Sequence, residues 1–332
     1  MTIAHADPAP AAVTNGPLSF LWAEVTGMCQ LSCTHCYAGS GPDGTHGTMT
    51  ADEWERVLTD AAALGTAMVC FIGGEPTLYD FLPRLVRHAL HLGMQAEVYS
   101  NLVHVTPELW GLFQAPGVSL ATSWYSSDRL EHKQITRRDT WRQTLANIEH
   151  ALRLNIPLRV GIIDGILPGQ HAEEGAELLR ARGVTDIGTD HLREFGRGTN
   201  PDPSQACGNC GHHRAAVLPD GSVTPCPLTR WMVAGNVTST PLADILGSVT
   251  QMAATLPAAT ACGPDNCRPA MQPCGPDRDE CRPGTCMPDG RHSPDRTGTA
   301  PHGTNRGCLP DDCRPDVFCR PNCTPGLCRP NY

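Results

Sequence analysis

Between residues 18 and 190, six short apolar runs alternate with runs of helical spacing, and this alternation constrains the fold more than any other feature of the chain. The strand-like runs are 18–25, 68–72, 96–100, 118–124, 158–163 and 186–190, and the helical runs between them are 50–64, 79–92, 106–114, 141–154 and 172–182. The boundaries carry their own chemistry. Thr50-Ala-Asp-Glu53 is a capping box. Pro107 sits in a first turn, where a missing N–H leaves no partner unsatisfied. Gly65, Gly93 and Gly183 stand where helices stop. Each connection is long enough to carry the chain back across a sheet, so the pattern predicts a parallel α/β sheet with helices outside.

The first strand leads into Cys29-Gln-Leu-Ser-Cys33-Thr-His-Cys36, a C-x3-C-x2-C run within the loop 26–49. Three thiolates this close in sequence can wrap one [4Fe–4S] cube, because such clusters are held by cysteine sulfur. One iron then has no protein ligand and is open to another molecule, which suits chemistry at the cluster better than electron carriage alone. On spacing alone a zinc site fits the run as well. The second strand ends in Phe71-Ile-Gly-Gly-Glu-Pro76. Two glycines allow close backbone approach to a ligand, and the Glu75 carboxylate suits an ammonium group.

The cysteine run, the strand–helix–strand that follows it and the Gly-Gly-Glu-Pro turn together resemble the radical S-adenosylmethionine (radical SAM) superfamily over roughly residues 17–250. The resemblance implies a partial (β/α)6 TIM-type barrel across residues 17–200, with its site at the C-terminal ends of the strands. It places a [4Fe–4S] cluster on Cys29, Cys33 and Cys36. It has Gly73, Gly74, Glu75 and Pro76 cradle the amino group of the methionine of SAM. It adds Ser100 and Asn101 after the third strand, Ser123 beside Ser126 at the end of the fourth, and the backbone near Leu192 facing adenine. Ordinary loop capping accounts for those serines and that asparagine equally well. Gly161–Gly165 loosely resembles an adenosine motif of the family.

A second cysteine group follows in residues 201–260: Cys207-x2-Cys210, then Cys210-x10-Gly221-x4-Cys226. It resembles the SPASM or Twitch extension of the same superfamily, with hairpin chemistry at Pro219-Asp-Gly-Ser222. This implies an auxiliary iron–sulfur cluster with Cys207, Cys210 and Cys226 as partial ligands. A zinc-ribbon fragment is the alternative, with His212 or His213 as a further ligand. The usual continuation C-x2-C-x5-C-x3-C is missing. Instead, residues 261–332 hold ten cysteines, each opening a Cys-x-Pro triplet. So few large apolar side chains accompany them that no hydrophobic core can form, and proline opposes helices and central strands. The tail is then metal-organised or disordered. As a functional element it is a holder of metal or extra clusters, a redox or substrate-docking appendage, or a fused substrate.

A net charge of −9 argues against a nucleic-acid surface. No apolar run is long enough for a membrane helix. Residues 1–16 lack the basic start and apolar core of a secretory signal and read as a disordered leader. Seventeen cysteines in a long chain without an export signal point to metal binding, reduced thiols and a cytoplasmic location. The function implied by resemblance is an oxidoreductase that reductively cleaves SAM to a 5′-deoxyadenosyl radical and takes hydrogen from a ribosomally made peptide during its maturation. Its partners would be the peptide or protein substrate, an electron donor such as flavodoxin or ferredoxin, and a separate leader-recognition protein. The alternatives are a sulfatase-type or small-molecule radical SAM enzyme and a non-catalytic cysteine-rich metal binder. Cys70 reads as a buried core thiol and His35 as a packing residue, while nothing chooses among Asp128, Asp164, Asp190 and Glu194 as proton carriers.

Overall fold

All six strands of the predicted series form in the computed structural model, which describes residues 17–193, 195–197, 202–206 and 210–256. The leader 1–16, Cys207, Glu194 and the tail 261–332 lie outside the described residues. The strands are β1 (Phe20–Thr26), β2 (Met68–Gly73), β3 (Gln95–Tyr99), β4 (Val118–Trp124), β5 (Leu158–Asp164) and β6 (Asp186–His191). They pair in parallel in sequence order, for example Leu21 beside Val69 and Val98 beside Leu120. Helices α1 (Ala51–Ala63), α2 (Leu82–His91), α3 (Pro107–Phe113), α4 (Arg129–Thr136), α5 (Trp141–Arg153) and α6 (Ala172–Ala181) fill the connections. The result is a partial (β/α)6 barrel.

Both faces of the strands are buried, as parallel sheets require. Leu21, Ala23 and Val25 face outward into the layer that packs on Trp54, Leu58 and Leu85. Phe20 and Trp22, one residue out of phase, face the barrel interior with Met68, Cys70 and Ile72. The capping box forms as predicted: the Thr50 hydroxyl accepts from the Glu53 backbone at 3.3 Å, and the Glu53 carboxylate accepts from the Thr50 backbone at 2.8 Å.

Three features depart from the sequence reading. The predicted helix 79–92 begins only at Leu82, because a 3-10 turn over Pro76–Leu78 precedes it. Helix α4 was not predicted. Its only aliphatic side chains are Leu130 and Ile135, and Leu130 is 72% exposed, so it shows no apolar stripe. Its start is set by Asp128, whose carboxylate accepts from the backbones of Leu130 and Glu131 at 2.7 and 2.9 Å. Finally, the cysteine-rich extension joins the barrel's own sheet. Strand β7 (Arg214–Val217) pairs in parallel with β1, and β8 (Ser222–Thr224) and β9 (Gly235–Asn236) continue it antiparallel, followed by α7 (Leu242–Ala253).

Deep in the barrel, Arg159 on β5 holds Glu97 on β3 in a two-pronged ion pair, 2.9 Å from Nε and 2.7 Å from Nη2. The pair is buried, at 8% and 0% side-chain exposure. Cys70 donates to the same carboxylate at 3.3 Å, and the guanidinium stacks 5.1 Å over the Tyr99 ring. Removing one partner of a buried pair strands the other charge in a medium of low polarity. Arg159→Met is therefore expected to lower stability by about 3–5 kcal/mol, and Arg159→Met with Glu97→Leu to recover most of it. Urea unfolding of the two variants measures the difference, and equal losses would refute the account.

Candidate active site

The cluster loop is built by returning on itself. Past the end of β1, Gly27 donates to Thr45 O at 2.8 Å and Cys29 donates to Gly41 O at 3.0 Å, so the two limbs of the loop run side by side. Tight turns follow, with Cys36 N on Cys33 O at 3.3 Å and Gly39 N on Cys36 O at 3.1 Å. Two outside segments clamp it. The end of α4 accepts from Ser32 and Thr34 through the carbonyls of Thr136 (3.3 Å) and Ile135 (2.9 Å). After β6, the Arg197 backbone donates to Cys36 O and its Nε donates to Cys33 O, each at 3.1 Å. Gly196 makes this approach possible. It has a φ of +86°, and a Cβ there would lie 2.3 Å from the Tyr37 Cα. Sequence reasoning missed this clamp, although a glycine between Phe195 and Arg197 after the sixth strand was its available signal.

Cys29, Cys33 and Cys36 line one cavity that opens to solvent. Cys29 Sγ receives the backbone N–H of Leu31 at 3.4 Å and Asn101 Nδ2 at 3.6 Å, dipoles that favour a thiolate. Burial acts the other way and pushes both the Cys29 and Cys33 thiols up to about 12. His35, inside the loop, is driven down to about 4 by burial, so it is neutral at pH 7, and it meets Tyr125 edge-on at 5.0 Å.

The glycines of the Gly-Gly-Glu-Pro turn serve a close approach within the protein itself. A Cβ on Gly73, whose φ is +153°, would meet Thr26 O at 2.3 Å, and one on Gly74 would meet Met28 O at 2.2 Å. The end of β2 thus lies directly against the backbone entering the cluster loop, tied by Gly74 N to Thr26 O (2.7 Å) and Glu75 N to Met28 O (2.8 Å). Gly73 and Gly74 line the cavity. Glu75 is fully buried, and its carboxylate accepts from Thr77 (2.7 Å from the hydroxyl) and from the Asn101 backbone (2.7 Å), which ties β2 to β3 at the rim. Pro76 opens the 3-10 turn.

Ser100, Asn101, Ser123 and Leu192 line the same cavity, and with Gly73 and Ile163 five strand ends contribute to it besides β1. Asn101 and Gln30 exchange amide hydrogen bonds at 3.0 and 3.2 Å, joining β3 to the cluster loop. Ser126 does not line it; it donates to Glu131 at 2.5 Å at the start of α4. The cavity adds residues that the sequence did not single out. Tyr99 meets Ser123 at 3.1 Å, and burial raises its phenol to about 12, so it stays protonated at neutral pH. Arg193, two residues past β6, pairs with Asp190 at 3.0 Å and donates to the Gln205 carbonyl at 2.6 Å. Asp190 was among the mouth carboxylates considered, and this pairing is its surroundings.

In the extension, the Sγ atoms of Cys210 and Cys226 lie 3.4 Å apart, buried beside Trp22 and Phe20 of β1. The predicted hairpin forms around Gly221, at φ +83°. Arg230 reaches back to pair with Glu24, a buried carboxylate of β1. His212 and His213 are exposed. Among the described residues no group of three or more His, Cys, Asp or Glu is placed to hold a metal ion. Cys29, Cys33 and Cys36 nevertheless share one cavity, an arrangement that suits a group wider than one ion.

The sequence pattern of the radical SAM superfamily matches residues 23–181, and that of the SPASM iron–sulfur cluster-binding domain matches residues 207–275. The chain carries a radical SAM domain followed by a SPASM domain. The SPASM match runs past residue 260, where the sequence reading ended this segment, and takes in Cys262, Cys267 and Cys274. An AdoMet-dependent heme synthase of Methanosarcina barkeri is 25% identical over 58% of this chain and 55% of its own. A PqqA peptide cyclase of Bradyrhizobium diazoefficiens is 30% identical over 44% of this chain and 39% of its own. The radical SAM chain thus spans about half or less of the length of these curated relatives. Its fold is that of Streptococcus suis SuiB bound to its precursor peptide SuiA, with a TM-score of 0.59 at 12% identity over 70% of this chain and 66% of that one. anSMEcpe with bound AdoMet shares it, with a TM-score of 0.58 at 14% identity over 71% and 82%. The domains imply a [4Fe–4S] cluster, SAM and auxiliary iron–sulfur chemistry. Three thiols on one loop, open to one cavity that no fourth cysteine of the described residues lines, fit the first of these.

Two tests follow from this geometry. A thiolate is the form that alkylates, so in metal-free protein Cys29 and Cys33 are expected to react slowly with iodoacetamide at pH 7. Their rates should rise about tenfold per pH unit well beyond pH 9; a plateau near pH 8–9, read by mass spectrometry, would contradict the burial effect. Gly74→Ala, which sets a methyl against Met28 O, is expected to cost about 1–3 kcal/mol and to reduce iron per chain. Gly111→Ala, in open space within α3, should gain about 0.5–1 kcal/mol and leave iron unchanged.

Proposed function

We propose that this chain is a SAM-cleaving radical enzyme that modifies a ribosomally made peptide. The observation that carries the reading is the convergence of Cys29, Cys33, Cys36, Gly73, Gly74, Ser100, Asn101, Ser123 and Leu192 on one cavity at the C-terminal rim of a parallel barrel. When bound, a reduced [4Fe–4S] cluster supplies the electron that splits SAM into methionine and a 5′-deoxyadenosyl radical able to take hydrogen from substrate. The chain's residues do the rest. Cys29, Cys33 and Cys36 would hold the cluster through their thiolates. The backbone at Gly73–Gly74 offers close approach to the methionine end of SAM. Glu75 acts through the turn it braces, and Pro76 starts that turn. Ser100, Asn101 and Ser123 present hydroxyl and amide groups to polar parts of SAM, and the backbone near Leu192 faces adenine. Trp22, Tyr99, Tyr125 and His35, neutral at pH 7, exclude water from the space beside them.

Cys207, Cys210 and Cys226 are proposed as ligands of an auxiliary cluster, with the close Cys210–Cys226 pair as its described part. A peptide substrate is supported by the SPASM segment and by the peptide cyclase relative. A small-molecule substrate is the second reading, favoured by the heme synthase relative. An electron donor such as flavodoxin or ferredoxin, a leader-recognition protein and a cytoplasmic location complete the proposal. Among the described residues no helix is long and apolar enough to cross a membrane.

The test is 5′-deoxyadenosine release from SAM by reconstituted, reduced protein. Wild type is expected to release it, faster with a co-expressed precursor peptide whose mass changes, and Cys33→Ala to release none. A wild type that holds its cluster yet neither binds nor cleaves SAM would end the enzyme reading and favour a cysteine-rich metal binder.

A further inference from the structure

The chain carries a net charge of −9, yet five of its 25 basic residues fall within residues 129–142: Arg129, Lys133, Arg137, Arg138 and Arg142. Lys133 is the only lysine in the protein. The carboxylates of this stretch are already engaged. Asp128 caps α4, Glu131 pairs with His171 at 2.6 Å, and Asp139 is gripped by Arg129. Lys133, Arg137, Arg138 and Arg142 are all exposed, and no carboxylate of the described residues lies within 4 Å of them. The residual positive field is therefore turned to solvent.

This surface is bonded to the cluster loop. The two backbone hydrogen bonds from Ser32 and Thr34 end on the last turn of α4, between Lys133 and Arg137. Arg138 Nη1 donates to the Gln30 carbonyl, one residue from Cys29, at 3.0 Å. A second cavity, separate from the SAM-site cavity except for Cys29, is lined by Arg138, Gln30, Ser32 and Pro42. Cys29 is thus approached from outside the barrel by way of a cationic surface, while substrate and SAM have the other cavity.

We propose that the exposed Lys133–Arg142 surface is the docking face for an acidic electron-carrier protein, which reduces the cluster through the Gln30–Ser32 edge of its loop. The inference rests on the reading of the chain as an enzyme that needs a reduced cluster. Each encounter passes one electron: the carrier is oxidised by one, the cluster is reduced by one, and no bond or proton changes hands. Opposite net charges steer such an encounter and make it salt-dependent.

The experiment uses the full, cluster-loaded chain with an acidic flavodoxin, reduced to its hydroquinone, as the probe. Wild type, Lys133→Arg and the triple variant Lys133→Glu/Arg137→Glu/Arg142→Glu are compared, with dithionite as a reductant too small to need docking. The triple variant is expected to raise the flavodoxin concentration for half-maximal reduction by at least about tenfold at low salt and to flatten the salt dependence. Dithionite should reduce all three proteins alike, which shows that the variants are folded. Carbodiimide should join flavodoxin to wild type through Lys133, and Lys133→Arg should lose the cross-link yet be reduced as wild type is. Equal half-saturation for wild type and triple variant, or a cross-link only through the α-amino group, overturns the proposal. So does a triple variant that takes electrons normally but no longer responds to precursor peptide, which would make the surface a substrate dock. If dithionite reduces the cluster and SAM stays intact, the enzyme reading fails, while binding and cross-linking still decide the surface.

Discussion

The contact on which the site depends is backbone against backbone: the end of β2 at Gly73–Gly74 lying on the end of β1 at Thr26–Met28. Two side chains there are limited to hydrogen because a methyl would stand just over 2 Å from a carbonyl oxygen. This closeness lets Gly74 and Glu75 donate to Thr26 and Met28, and those bonds hold the entry of the cluster loop. Glu75 then passes the constraint to β3 through the Asn101 backbone, and Asn101 returns it to the loop through Gln30 and Cys29. The rim is a closed chain of hydrogen bonds, and each link positions a cavity wall.

Beneath that rim the barrel holds two buried charge pairs. Glu97–Arg159 and Glu24–Arg230 are ion pairs whose carboxylates are wholly buried. Burial raises the Glu24 carboxyl, with Arg230 opposing. Such pairs are a poor source of net stability but penalise any arrangement that separates the partners. Glu97–Arg159 links β3 to β5 and seats Tyr99, and Glu24–Arg230 links β1 to the extension. Their effect is therefore on which strands meet and in what register.

The extension is continuous with the barrel. Because β7 pairs with β1 in the same sheet, Cys210 and Cys226 share an apolar layer with Phe20 and Trp22. The cluster loop leaves from the far end of that same strand. One seven-residue strand thus spaces two cysteine sites, and a strand is stiff enough to keep that spacing.

The sequence by itself determined the local elements and the chemistry on offer. Strand and helix periods, the Thr50 capping box, the cysteine spacing and the Gly-Gly-Glu-Pro turn are patterns within a few residues of chain, where steric and hydrogen-bonding rules act directly. Nine of the residues read as site candidates meet in one cavity because every one of them lies at or beyond the C-terminal end of a strand that runs the same way. What only the tertiary structure decided were the partners. The Glu75 carboxylate meets the Thr77 hydroxyl and the Asn101 backbone. Helix α4 has no apolar stripe and is defined by its Asp128 cap and its bonds to the cluster loop. Gly196 and Arg197 clamp that loop from about 160 residues away, and β7 chooses β1 across the other five strands of the barrel. Such choices turn on the shape and polarity that distant segments present to each other, and these quantities exist only once the chain has closed.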